Sequence, residues 1–270
     1  MSDSDLLTAE GISLRFGNIV ALQDVSFSVA RGERLGIIGP NGAGKTSLLN
    51  CLNGVVQPQA GRFQLDGVEM LGRPGDKFIR LGIGRTFQGV SLQPAATVED
   101  NILFGCDYLM KNGLVESALA IGRARSETKR NRARVREIMS FLGISHLADL
   151  EAGSLPWGRQ KIVEIGRALA SEPKILLLDE PTSGMSHEEK IQVSICLARL
   201  QSEMGLAQIL IEHDANFVSD LCNRVVVLDY GKVIASGPPA QVMNDPLVIE
   251  AYLGAPESAE PQSSENNAKD

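Results

Sequence analysis

The stretch Gly39-Pro40-Asn41-Gly42-Ala43-Gly44-Lys45-Thr46 matches G-x-x-x-x-G-K-[ST] at every fixed position, and no other feature of the chain restricts its fold so far. Leu35–Ile38 before it is a short apolar run of strand type. Thr46–Asn53 after it carries Leu48, Leu49 and Leu52 at helical spacing. A glycine-rich turn between strand and helix lets backbone N–H groups point inward without Cβ clashes, and the helix adds the positive end of its dipole. Such a turn binds phosphate. Lys45 is placed to reach β- and γ-phosphates, Thr46 to give its hydroxyl to Mg2+, and Ser47 counts among the nucleotide contacts. A chance glycine turn would lack the flanking strand and helix.

A phosphate loop alone does not separate kinases, GTPases and motors, so the second half of the site matters. Ile175-Leu176-Leu177-Leu178 is an apolar strand that ends in Asp179 and Glu180. Asp179 fits the carboxylate that holds Mg2+ together with Thr46. Glu180 is placed to orient the attacking water or accept its proton. The bland alternative, two acids that only solvate a strand end before Pro181, ignores the phosphate loop.

Around these motifs the pattern predicts an α/β fold: a P-loop NTPase (RecA-like) core with a mostly parallel sheet, an antiparallel β subdomain and a helical lobe. Alternation at Ile12, Leu14, Phe16 and at Val25, Phe27, Val29 marks two half-buried strands, and Gly61–Gly67 closes the antiparallel region. From Thr97, a helix cap with Asp100 three residues on, the spacing is helical to Leu142, which begins a lobe spanning about 97–170. Beyond Trp157 the order is helix (Gly158–Ser171), strand (Ile175–Asp179), helix (Ser186–Met204), strand (Gln208–Glu212), helix, strand (Val225–Leu228). Residues 1–254 read as one nucleotide-binding domain, and 255–270, rich in Pro, Ser, Glu and Asn, as a disordered tail.

A net charge of −7 argues against a nucleic-acid partner. The arginine-rich run Arg123, Arg125, Lys129, Arg130, Arg132, Arg134 and Arg136 is interleaved with Glu127 and Glu137 and reads as a solvated helix face. Cys51, Cys106, Cys196 and Cys222 show no metal-like or CxxC spacing and read as reduced thiols of a cytosolic protein. The N-terminus has no secretory pattern, and no run approaches the roughly 20 apolar residues of a membrane span. A membrane process would therefore need another chain for its membrane part.

Between the two halves of the site lies Leu155-Pro156-Trp157-Gly158-Arg159-Gln160, followed by Val163–Leu169. With Gln88 in Arg85-Thr86-Phe87-Gln88 and His213 in Ile211-Glu212-His213-Asp214, it completes an ordered set that resembles the ABC transporter ATPases. Within them the chain looks like the ATPase subunits of branched-chain amino acid importers, which carry RTFQ, an LPYG-like signature, IEHD and a terminal AYLG, here Ala251–Gly254. The resemblance runs from about Gly11 to Gly254.

It implies that Phe16 stacks on adenine, although alternation alone also makes it a plain core residue. It implies that Gln88 senses Mg2+ and faces the permease, and that His213 contacts the γ-phosphate. The signature residues Pro156, Trp157, Gly158 and Arg159 would cover the ATP held by the other subunit. Two ATP are then buried in a head-to-tail pair, as a homodimer or with a related ATPase, on the cytoplasmic face of the inner membrane. Transmembrane permease subunits couple directly and a substrate-binding protein indirectly. The implied function is ATP hydrolysis that powers uptake of branched-chain amino acids or a related small solute. A soluble ABC ATPase of translation or repair is the rival reading; it usually has two ATPase units or a long coiled coil, and no sustained heptads occur here.

Three positions depart from the pattern. Pro156 replaces the signature serine and has neither hydroxyl nor N–H, so the expectation is a working but weakened signature that relies on the Gly158 N–H and the helix end. Trp157 replaces the first glycine, either packing at the dimer seam or buried in its own subunit. Ser186 stands where an aspartate often crosses to the partner, and with Glu189 it forms a capping box instead.

Overall fold

The computed structural model describes residues 5–86, 89–109 and 121–253. Gln88 and the tail 255–270 lie outside the described residues. One sheet is antiparallel, in the order β2-β1-β4-β5, and comprises β1 (Asp5–Phe16), β2 (Ile19–Ala30), β4 (Ala60–Leu65) and β5 (Val68–Glu69). The other has six strands in the order β10-β9-β3-β8-β7-β6: β3 (Arg34–Ile38), β6 (Ile83–Arg85), β7 (Ile175–Asp179), β8 (Ala207–Ile211), β9 (Arg224–Asp229) and β10 (Lys232–Gly237). All are parallel except β10, which returns as a hairpin on β9.

Every residue of β3, β7 and β8 is buried, as expected of parallel strands covered on both faces. Their side chains alternate between two cores. Ile38, Leu176, Leu178, Leu210, Val225 and Val227 point one way. Leu35, Ile37, Leu177, Ile209, Ile211 and Val226 point the other, toward the antiparallel sheet and α1 (Lys45–Leu52).

The helical region differs from the continuous reading in two ways. After α2 (Gly75–Leu81), which periodicity did not reveal, α3 runs only from Val98 to Leu103. A 3-10 stretch, Phe104–Leu109, follows it, and the next described helix is α4 (Ile121–Leu142). The reason lies at Gly105, where a Cβ would stand 2.0 Å from the Arg167 carbonyl, so the chain is pressed onto the neighbouring helix. That helix is α5 (Trp157–Leu169), and the apolar faces of α3, α4 and α5 are continuous with one face of the six-stranded sheet. Among the described residues the lobe has no separate core. Thr97 does cap α3, accepting the Asp100 N–H at 3.1 Å.

Most of the described part of the arginine-rich face is exposed, as expected, but Arg134 is not simply solvated. It donates to the Leu169 carbonyl at 3.3 Å and pairs with Glu172, and burial lowers its pKa. Farther on lie α6 (His187–Met204), α7 (Ala215–Leu221), α8 (Pro239–Val242) and α9 (Pro246–Leu253). Among the described residues no helix is long and apolar enough to cross a membrane. The four cysteines are buried free thiols, and burial pushes Cys51, Cys196 and Cys222 up to about 12.

Candidate active site

Strand order assembles the site. β8 lies between β3 and β7, and Ile211 is in register with both Ile37 and Asp179. The phosphate loop leaving β3, the Glu212-His213 corner leaving β8 and the Asp179-Glu180 corner leaving β7 therefore emerge at one edge. Ligands of open α/β sheets bind at that carboxyl edge.

In the phosphate loop, Gly39 has φ 150° and a Cβ there would meet the Leu228 carbonyl at 2.0 Å, so only glycine fits beside β9. Gly44, at φ 102°, leads directly into α1, so the helix N-terminus opens on the loop. The Lys45 ammonium is buried and donates to the carbonyls of Gly39 at 2.6 Å and Pro40 at 2.9 Å. Burial lowers its pKa, opposed by Glu180 and then Asp179. Thr46 is exposed and Ser47 half-buried at the start of α1.

Asp179 is buried, and burial pushes its carboxyl up, opposed first by Arg85, whose Nη2 stands 3.8 Å from its Oδ2. Glu180 has left-handed backbone, φ 42°, held by its N–H donating to the Ile211 carbonyl at 2.9 Å. Its Oε1 stands 3.9 Å from Nδ1 of His213, whose side chain is 61% exposed. His146 and His187 are exposed.

Sequence reading passed over Glu212 as a contributor. It is buried, and its Oε1 accepts from Oγ1 of Thr182 at 2.7 Å and from the Thr182 N–H at 3.2 Å, which ties down the loop after Glu180. Burial raises its pKa against those two bonds. An acid directly after the apolar run of β8 was the available signal.

The signature lies at the head of α5. Pro156 is its N-cap without a side-chain bond, and Gln160 Nε2 donates back to the Leu155 carbonyl at 2.7 Å. Trp157 is 40% exposed, so burial within its own subunit does not describe it. Arg159 is half-buried on the flank, lining a shallow cavity with Phe141, Ile195 and Arg199. Phe16, at the end of β1, is 51% exposed beside exposed Ile19 and Val20, which removes the core alternative. Ser186 and Glu189 form the expected capping box of α6.

Arg85 and the segment at Gly89–Ser91 flank Gln88. Lys161 of α5 donates to the Gly89 carbonyl at 3.2 Å and to Glu164 at 2.8 Å, with both side chains buried. Arg167 donates to the Ser91 carbonyl at 2.5 Å. Next to this segment a cavity of about 610 Å³ opens between Val55, Phe78, Ile79 and Phe104.

A phosphate loop, a two-carboxylate strand end, a signature helix and a histidine corner on this strand order define the ATP-binding cassette ATPases. The chain belongs to the ABC transporter family, whose model matches residues 22–183. A second model, described as branched-chain amino acid ATP-binding cassette transporter, matches residues 232–258.

Among curated relatives, the chain is 34% identical over 249 residues to the high-affinity branched-chain amino acid transport ATP-binding protein BraF of Pseudomonas aeruginosa, covering 92% of this chain and 98% of that one. It is 35% identical over 249 residues to LivG of Escherichia coli, which carries the same description, with the same coverage. Among solved structures, the ADP conformation of an ATP-binding cassette from an ABC transporter superposes with a TM-score of 0.82 at 31% identity, covering 93% of this chain and 99% of that one.

Proposed function

We propose that this chain is the ATP-hydrolysing subunit of an importer for branched-chain amino acids or a related small organic solute. The observation that carries the reading is the convergence of Lys45, Asp179, Glu180 and His213 at the ends of three adjacent strands. The substrate class rests on the C-terminal family match and on the relatives BraF and LivG.

ATP lies along the phosphate loop with adenine on Phe16, whose exposed ring offers a stacking face. Lys45 exchanges its loop carbonyls for β- and γ-phosphate oxygens. Mg2+ suits the donor set: the buried Asp179 carboxyl, next to Glu180 and raised by burial, and the Thr46 hydroxyl are hard oxygen ligands beside the phosphates. When bound, it neutralises phosphate charge. Glu180 orients the attacking water and receives its proton, and His213 faces the γ-phosphate.

The signature residues Pro156, Trp157, Gly158 and Arg159 close over the ATP of a second cassette, so neither site is complete in one chain. The pair is a homodimer or includes a related ATPase. Transmembrane permease subunits dock near Gln88, for which the cavity between α2 and Phe104 is the matching groove. The chain thereby sits peripherally on the cytoplasmic face of the inner membrane, and a substrate-binding protein acts through the permease. The helical lobe, about 97–170, is the part that moves against the core.

Replacement of Glu180 by glutamine tests the assignment. Turnover falls by a factor of roughly 10² or more, as loss of a general base gives, while ATP binding persists and a closed pair accumulates. Unchanged phosphate release removes Glu180 from the mechanism. Co-purification with ribosomes or DNA rather than with a multi-spanning permease replaces the transport reading.

A further inference from the structure

Glu189 connects two segments that serve different nucleotides in the arrangement proposed above. Its Oε1 accepts the Gly158 N–H at 2.8 Å, and its Oε2 accepts the Ser186 N–H at 3.0 Å. Its own N–H donates to Ser186 Oγ at 3.3 Å, closing the capping box. One carboxylate thus serves as N3 of α6 and as an acceptor at the head of α5, separated by 31 residues of chain.

The fit is close. A Cβ on Gly158 would stand 2.9 Å from Cβ and 3.0 Å from Cγ of Glu189, so glycine is needed there to admit this side chain. The Gly158 N–H, then that of Ser186, holds the Glu189 carboxyl below the usual range. The N-cap of α5, Pro156, makes no side-chain bond and supplies no N–H. Glu189 therefore provides the negative charge that complements the positive end of the signature helix.

That end is where a γ-phosphate held by a second cassette must arrive, and one N–H carries one proton. We infer that Glu189 is a positioning residue that occupies the signature in cis, so that closure of the pair exchanges its carboxylate for phosphate at the Gly158 N–H. The inference rests on the head-to-tail reading. The same carboxylate holds Ser186, at the far end of the loop that begins at Glu180, so the exchange ties the signature of each chain to its own hydrolytic loop. This linkage does not require an aspartate at position 186.

The experiment measures the ATP concentration for half-maximal pairing, by light scattering after size exclusion and by Trp157 fluorescence, in the Glu180→Gln chain. Glu189→Gln, which keeps length and loses charge, and Glu189→Ala lower that concentration by roughly two- to fivefold, the range for an exposed charged contact. Glu189→Asp keeps the charge and leaves it at or above the parental value. In the chain with native Glu180, the half-saturating ATP for hydrolysis falls without a matching rise in the saturating rate, whereas loss of a merely structural contact would raise it. An unchanged or higher ATP requirement in a folded Glu189→Gln chain overturns the inference and leaves the paired reading standing. Absence of ATP-driven pairing in Glu180→Gln alone overturns both.

Discussion

Replacement of Glu212 separates two things that its carboxyl does. Both bonds to Thr182 end on Oε1, while Oε2 is buried and stands 4.0 Å from Nδ1 of His213. Glutamine can therefore keep both bonds through its carbonyl oxygen. Alanine keeps neither, and it leaves the buried Thr182 N–H and hydroxyl without an acceptor at about 1–3 kcal/mol each. Part of that is returned, because a carboxylate no longer has to ionise out of water, and a net loss of about 2 kcal/mol is expected for Glu212→Ala.

Glu212→Gln behaves differently with pH. Burial raises the folded-state pKa of Glu212, so the native chain holds its proton longer than the unfolded chain. Stability from this group is fully present below the ordinary glutamate range and is lost as pH rises through the raised folded value. The glutamine chain lacks that loss and gains on the native chain across this window. Urea unfolding at a series of pH values measures both effects, and phosphate release reports the loop that bears Glu180. Equal destabilisation by alanine and glutamine, or a glutamine curve parallel to the native one across the window, refutes the reasoning.

Lys45→Ala removes the ammonium that donates to the phosphate loop, and nucleotide binding followed by calorimetry should disappear. Phe16→Ala should weaken ATP binding by about 1–3 kcal/mol, the usual worth of a base stacked on an aromatic ring, and leave the saturating rate nearly unchanged. Lys161→Met removes the ammonium whose donation the buried Glu164 accepts at 2.8 Å, and a loss of about 3 kcal/mol in urea unfolding is expected. Lys161→Met combined with Glu164→Leu should recover most of that loss.

What could be read from residues alone were the features governed by local rules. The apolar strand before Asp179 and the Ser186 capping box each depend on neighbours within a few positions, and the fold places them as their spacing demands. The break after Leu103 was not readable, because it answers to the Arg167 carbonyl pressed against Gly105, far along the chain. The contacts of Glu189 with Gly158 and of Glu212 with Thr182 were hidden for the same reason: they join segments about 30 residues apart through single carboxylates. The hairpin strand β10 and the short α2 carry too few periodic positions to stand out. Alternation left Phe16 ambiguous, because at the end of β1 the pattern continues while the cover stops.

The position of Ile211 makes the middle of the sheet intolerant of a change in length. Its carbonyl receives the Glu180 N–H, and its register is shared with Ile37 on one side and Asp179 on the other. Inserting one residue into β8 would turn Ile209 and Ile211 toward the opposite core, since a strand repeats every two residues. It would also uncouple the hydrolytic corner from the phosphate loop in one step. Deletions and insertions that this chain can survive must fall outside that five-residue ruler.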